Sequence, residues 1–323
     1  MLAAGDGLAT RDTIDAACGA RDRRVWSGRM VIRLRHAAIV LVLAVSAHAE
    51  TPVAAPRPTS FPGQYASPPE PLLPVWPKAC MSYSKADERA ACLTYVASDF
   101  ARLDRYAAAN AALAPPAKGE HRVVLIGDSI FDRWSSPESD GFFPGKPFVN
   151  RGIGGQTSAQ MLLRFRQDVV ALRPEVVVIL AGTNDIAGNG GRTTLDAIES
   201  NLRSMAELAH ANGIAVVLGT VLPVCDCAKS SDGTTIVQTA ERPLRQIDEL
   251  NQRIARVARE RGYVLLDYNA AMRDDAGQLR KALTNDGLHP NAAGYAVMGP
   301  PTERAVAAAL EKRRRSEAAA RTP

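Results

Sequence analysis

The stretch VVLIGDSIFDRW, residues 123–134, passes from four consecutive aliphatics to Gly127-Asp128-Ser129 with no polar turn between them. A continuous apolar run of this kind fits a strand covered on both faces of a parallel sheet. An acid and a hydroxyl at its end fall where open α/β sheets bind ligands, beyond the carboxyl ends of the strands. Strands are expected at 122–127, 147–150, 175–181, 214–221 and 263–267, and the runs VVVIL and AVVLG repeat the apolar pattern. Helical periodicity over 157–171, 194–212, 242–261 and 291–311 separates them. This alternation predicts βαβ units and a doubly wound, five-stranded parallel sheet. No internal repeat is evident.

Four polar clusters fall at the expected strand ends. They are Gly127-Asp128-Ser129, Asn150-Arg151-Gly152-Ile153-Gly154-Gly155, Gly182-Thr183-Asn184-Asp185 and Asp286-Gly287-Leu288-His289-Pro290. A serine hydroxyl needs a base to become a nucleophile. His36 and His48 lie in an export signal, described below. His121 precedes the first strand and His210 lies late in a long helix, so both sit away from the carboxyl edge. His289 alone falls in a loop on the correct side, and Asp286, three residues earlier, is placed to orient its imidazole. Gly154 and Gly155 offer backbone N–H groups that no side chain screens, and Asn184 adds a side-chain amide, as a developing oxyanion requires. Asp185 reads as the residue that holds the turn carrying Asn184.

Other chemistries fit less well. Asp128 as a phosphotransferase nucleophile leaves Asp286 and His289 without a role, and the next acid, Asp132, is four residues on. GIGGQTS lacks the lysine of a phosphate loop, and Thr157 stands where a dinucleotide fingerprint has its third glycine. Asp128 reads more simply as a cap for the segment that follows. A binding module with a decayed site is the main non-enzyme reading, yet Ser129, Asn184 and His289 are all present.

In order and spacing the four clusters resemble the SGNH/GDSL hydrolase family. Gly127, Asp128 and Ser129 match its first block, and Gly152, Gly154 and Gly155 its second. Gly182, Asn184 and Asp185 match its third, and Asp286 and His289 its fourth. Ile130 stands where the family has leucine, a conservative departure. The resemblance covers about 120–311. It implies a three-layer α/β/α, flavodoxin-like fold and a serine esterase with an acyl-enzyme intermediate. Ser129 would be the nucleophile, His289 the base and Asp286 its partner. The Ser129 and Gly155 N–H groups and the Asn184 side chain would form the oxyanion hole. No metal or organic cofactor is implied.

Outside this domain the chain is less informative. Residues 30–49 read as a secretory signal: Arg33 and Arg35 form the positive region, Ala37 to Ala47 the apolar core, and Ala47-His48-Ala49 a cleavage site that leaves Glu50 first. Met30 sits at the usual start of such a signal, which leaves 1–29 as an overextended start or a long polar lead. No cysteine follows the cleavage site, so a lipid anchor is not expected. The protein is expected to be periplasmic or secreted, without an integral membrane span after signal removal. Residues 51–77 hold nine prolines and read as a linker. One or two helices are expected at 84–113, with a boundary near 114–120. The resulting division is 1–49 signal, 50–118 extension, 119–312 catalytic domain and 313–323 basic flexible tail.

Cys80, Cys92, Cys225 and Cys227 remain in the exported chain, where disulfides are favoured. Cys80–Cys92 is the expected pair. Cys225-Asp226-Cys227 is closely spaced for a bridge, and as a metal site it is short of ligands. The net charge is +5, but beyond residue 49 there are 32 basic against 30 acidic residues. That balance gives no electrostatic argument for nucleic acid. Aromatic content is 5%, with no row for stacking on sugars and no long apolar lid segment. Short-chain or acetyl esters are the favoured substrates, with small-molecule, glycan and lipid alcohols open. A lysophospholipase or thioesterase on longer chains is the runner-up, and an inactive glycan- or lipid-binding module stands third. Ile130, Trp134, Ile153, Ile186 and Leu288 flank the clusters and are the candidate pocket residues. The long stretch 223–243 is expected to shape access.

Overall fold

The computed structural model describes residues 80, 84–136 and 141–321. The expected signal at 1–49 and the proline-rich segment 51–77 lie outside them. Helices α1, Ala86–Ser98, and α2, Ala107–Ala112, occupy the described part of the extension. The strands that follow are β1, Val123–Gly127; β2, Phe148–Gly152; β3, Val176–Ile179; and β4, Ala215–Gly219. After a small antiparallel pair, β5, Ala228–Lys229, with β6, Thr235–Ile236, comes β7, Val264–Leu266. The main sheet is parallel in the order β2-β1-β3-β4-β7. The chain passes from β1 to β2 on one side and then crosses back over β1 to β3 on the other, so the ligand crevice opens where the winding reverses, between β1 and β3. Register aligns Gly127 with Gly152 and Ile126 with Ile179, bringing three polar clusters to one edge.

The continuous apolar runs have a direct physical cause. Val124 and Ile126 face one layer and Val123 and Leu125 the other, and all four are fully buried. The first layer is built by α4, Ser158–Asp168; α6, Leu195–Ala211; and α7, Leu244–Arg261. The second contains α3, Ser129–Asp132; α8, Tyr268–Met272; and α9, Ala292–Arg321. The short helix α5, Thr183–Ile186, follows β3. Helix starts and stops follow local chemistry. Thr157 and Gln160 form a capping box on α4, Thr194 Oγ1 accepts from Ala197 N on α6, and Gly262 ends α7 in the left-handed region. The architecture is the expected three-layer α/β/α fold.

One detail differs from expectation, and one cysteine pairing that the sequence leaves open is fixed. Residues 313–321 do not form a flexible tail but continue α9 to Arg321. Arg315 Nε donates to Glu311 and Arg313 Nε to Glu317, both at i,i+4 and 2.8 Å, and the segment is rich in alanine, so local interactions favour helix. Cys225 and Cys227 are bonded to each other, with Cα atoms 5.2 Å apart. The chain turns at Asp226, whose carboxylate accepts from the Gln238 and Thr239 N–H groups and the Thr239 hydroxyl. Cys80 is bonded to Cys92.

Helix α4 carries a buried ion pair, Arg164 and Asp168, on its inner face. Arg164 is fully buried, and its Nε donates to Gln156 Oε1 at 2.6 Å, Nη1 to Asp168 Oδ2 at 3.0 Å and Nη2 to the Gly127 carbonyl at 3.0 Å. Removing one partner of such a pair leaves the other charge uncompensated. Arg164→Leu is therefore expected to lower the unfolding free energy by about 3–5 kcal/mol, measured by urea denaturation.

Candidate active site

Asp128 leaves β1 in an extended conformation and caps α3, with Oδ1 accepting from Ile130 N at 2.9 Å. That places Ser129 at the first helical position, above a rigid strand and at the open edge of the sheet. Its Oγ lies 2.8 Å from His289 Nε2, across 160 residues of sequence. His289 Nδ1 lies 2.6 Å from Asp286 Oδ2. Asp286 Oδ1 accepts from the backbone N–H groups of His289 at 2.8 Å and Leu288 at 3.0 Å. Partial burial works against the Asp286 charge. The hydrogen bonds from His289 and the nearby backbone outweigh it and hold the carboxyl well below its ordinary range.

The turn that carries these two residues has supports not anticipated from the sequence. Thr284 Oγ1 accepts from Gly287 N at 3.0 Å and donates to the His289 carbonyl at 2.8 Å. A threonine two residues before an Asp-Gly pair is a hydroxyl-turn signal that was there to be read. Gly287 has φ +81, and a Cβ there would run into the Cys225 carbonyl. Cys225 N donates to the Gly287 carbonyl, and Gln238 Nε2 to the Asp286 carbonyl. The stretch 223–243 thus backs the Asp286–His289 turn.

The glycine cluster after β2 lies beside Ser129: a Cβ on Gly154 would stand 3.9 Å from the serine Cβ. Gly154 N donates to Asp132 Oδ2 at 3.0 Å, whereas Gly155 N, at φ +77, has no hydrogen-bond partner among the described residues. Asn184 Nδ2 donates to the Gln156 carbonyl at 3.1 Å, and its Oδ1 accepts from Asn189 Nδ2 at 2.8 Å. Asp185 takes both the N–H and the hydroxyl of Ser158 at the start of α4. It therefore holds the turn and does not face the serine. His121 bonds Glu175 far from these groups.

Four of the five candidate pocket residues lie in the interior. Ile130 and Trp134 pack among Phe131, Phe143 and Tyr295, with the Trp134 ring stacked 5.1 Å from that of Tyr295. Ile153 is buried, Leu288 packs in the opposite layer, and Ile186 is partly buried against that layer. The cause is the direction of α3. Tyr295 donates its hydroxyl to the Ile130 carbonyl, turning the apolar side of that helix away from the crevice. A cavity of about 440 Å³ instead opens beside His289, lined by Asp286, Arg133, Ser136, Asn285, Asn291 and Tyr295 among others. Arg133 Nη1 stands 3.6 Å from Asp286 Oδ2. Among the described residues no group of three His, Cys, Asp or Glu is arranged to hold a metal, and no helix is long and apolar enough to cross a membrane.

Comparison with known proteins agrees with this geometry. Residues 125–297 match the sequence model of the GDSL-like lipase/acylhydrolase family. The chain is 25% identical over 208 residues to an acetylxylan esterase of Geobacillus stearothermophilus, covering 55% of this chain and 90% of that protein. It is similar to the structure of a GDSL-like lipase from Bacteroides thetaiotaomicron, with 41% identity and a TM-score of 0.58, covering 65% of this chain and 99% of that one. An uncharacterised lipoprotein of Bacillus subtilis shares 35% identity over 81 residues, 24% of this chain and 33% of that protein.

Asp128 gives a pH signature to this site. Its Oδ2 is buried with no hydrogen-bond partner among the described residues, and burial pushes the carboxyl from the ordinary 3.8 up to about 7. The folded state then keeps a proton that the unfolded chain releases. The stability this contributes is full below about pH 3.8 and is lost as pH rises through about 7. Asp128→Asn has no such proton, so its stability should gain on the wild type as pH rises across that window, read by urea unfolding of both proteins.

Proposed function

The chain belongs to the GDSL-like lipase/acylhydrolase family, and from that premise we propose that it is an exported serine esterase that cleaves short-chain or acetyl esters. The observation that carries this reading is the unbroken chain Ser129 Oγ, His289 Nε2, His289 Nδ1, Asp286 Oδ2, with links of 2.8 and 2.6 Å. In this mechanism His289 Nε2 takes the hydroxyl proton as Ser129 Oγ attacks the ester carbonyl. Asp286 fixes the tautomer and stabilises the imidazolium. The carbonyl oxygen becomes an oxyanion, which accepts from the Ser129 and Gly155 N–H groups and from the second hydrogen of Asn184 Nδ2. Collapse breaks the ester bond, and His289 returns the proton to the departing alcohol. Water, deprotonated by His289, then releases the acid and restores Ser129.

The alcohol side of the substrate is read from the cavity beside His289. Arg133, Ser136, Asn285 and Asn291 supply hydrogen-bonding groups there, which suit a hydroxylated alcohol more than a hydrocarbon. Similarity to an acetylxylan esterase supports acetyl as the acyl group. Export rests on the signal pattern at 30–49 and on two disulfides, which persist in oxidising compartments.

A fluorophosphonate probe is expected to label Ser129 in the folded protein and to leave Ser129→Ala unlabelled; absence of labelling in the wild type overturns the reading. Asn184→Ala is expected to lower kcat by about 10²–10³-fold, the usual cost of one oxyanion donor. Across p-nitrophenyl esters from acetate to palmitate the rate should peak at acetate. A maximum at long chains would favour the lysophospholipase or thioesterase alternative.

A further inference from the structure

The segment ahead of β1 precedes the residues matched to the family, yet its hydrogen bonds converge on the glycine loop after β2. Tyr106 donates its hydroxyl to the Gly152 carbonyl at 2.5 Å. The guanidinium groups of Arg151 and Arg105 lie over the Tyr106 ring at 4.6 and 4.9 Å. Arg105 Nη2 stands 3.6 Å from Asp132 Oδ1, while the other oxygen of Asp132 accepts from Gly154 N. Gln156 Nε2 donates to the Ala101 carbonyl at 2.7 Å. Asn110 Oδ1 accepts from Arg151 Nε at 2.9 Å, and its Nδ2 donates to Asp168 Oδ1 at 2.6 Å. Gln160 and Gln167 of α4 reach the Phe100 and Leu103 carbonyls, both at 2.7 Å.

These contacts follow a pattern. Residues 152, 154 and 156 are each held by the extension, directly or through Asp132, and Ile153 N is held by the Gly127 carbonyl at 3.0 Å. Gly155 N is left without a partner among the described residues. Three of the four residues at 152–155 are glycines, the residue type with most backbone freedom to lose, so the loop needs an outside restraint to keep one geometry. An oxyanion donor is effective only when it is fixed before the charge develops. We propose that residues 99–113 are a strap that presets the oxyanion loop, with Tyr106 as its positioning residue. The proposal rests on Gly155 N–H serving as an oxyanion donor.

The test compares full-length wild type with Tyr106→Phe, which removes one hydroxyl and keeps the ring, and with Arg105→Gln, which removes an exposed charge. Each is assayed on p-nitrophenyl acetate, with a phenylboronic acid as tetrahedral analogue, fluorophosphonate labelling and thermal unfolding. Tyr106→Phe is expected to lower kcat about tenfold, with KM within about twofold and boronate affinity reduced in parallel with kcat. Arg105→Gln should move the same two quantities in the same direction by less. A wild type that is neither labelled nor active overturns the esterase reading and the strap with it. An active wild type whose variants keep kcat and boronate affinity overturns the strap alone, even where Tm falls, because a merely stabilising contact lowers Tm without touching either. If Tyr106→Phe does not fold, unchanged kcat and boronate affinity in Arg105→Gln is the overturning result.

Discussion

One guanidinium holds the carboxyl edge of the sheet together. Arg164 has no exposure to solvent, and burial pulls its pKa down while the Asp168 carboxylate opposes that shift. A buried cation is tolerated only when its donors are matched, and the planar fork of arginine matches three acceptors in different directions. One is the Gly127 carbonyl, two residues before Ser129. Another is Gln156, at the end of the glycine loop, whose own carbonyl accepts from Asn184. The third, Asp168, is also bonded by Asn110 of the extension. The ends of β1, β2 and β3 are thereby tied through one side chain, and the spacing between Ser129 and the glycine loop is set from beneath.

The parts of the fold legible in the sequence are those in which one periodicity dominates. The strands read as apolar runs because both faces of the sheet are covered, and α6 and α7 read as helices because each has one buried stripe. Ser129, Asp286 and His289 could be paired because so few histidines fall near the carboxyl edge. Arg164 was hidden because an arginine in a helical pattern reads as surface, and its burial depends on acceptors from three separate segments. Ile130 and Trp134 misled for the opposite reason. Both lie near Ser129 in sequence, but Ile130, the next residue on the helix, points elsewhere, and Tyr295 holds its carbonyl and stacks on Trp134 in the core. The grip of the extension on the glycine loop depends on glutamine and asparagine side chains meeting backbone carbonyls, which leaves no pattern in a sequence.

The stretch 223–243 forms a platform under the Asp286–His289 turn, organised by Asp226. One oxygen takes the Gln238 and Thr239 N–H groups and the other the Thr239 hydroxyl. Burial opposes the Asp226 charge, and these bonds outweigh it, holding the carboxyl below its ordinary range. Gln238 then reaches the Asp286 carbonyl, and Cys225 the Gly287 carbonyl. On the proposed mechanism the acid–base pair is supported from one side by this insertion and borders the substrate cavity on the other.

The 160-residue separation of Ser129 and His289 also carries a consequence in time. Synthesis runs from the amino end, and domains begin to fold as they emerge. A growing chain therefore presents its serine strand, and then the glycine loop, well before the imidazole exists. Because a serine hydroxyl without a base is a weak nucleophile, the proposed mechanism gives reactivity only once the segment after β7 that carries His289 is in place. On that mechanism an unfinished or truncated chain leaves esters intact, and catalysis belongs to the completed fold alone.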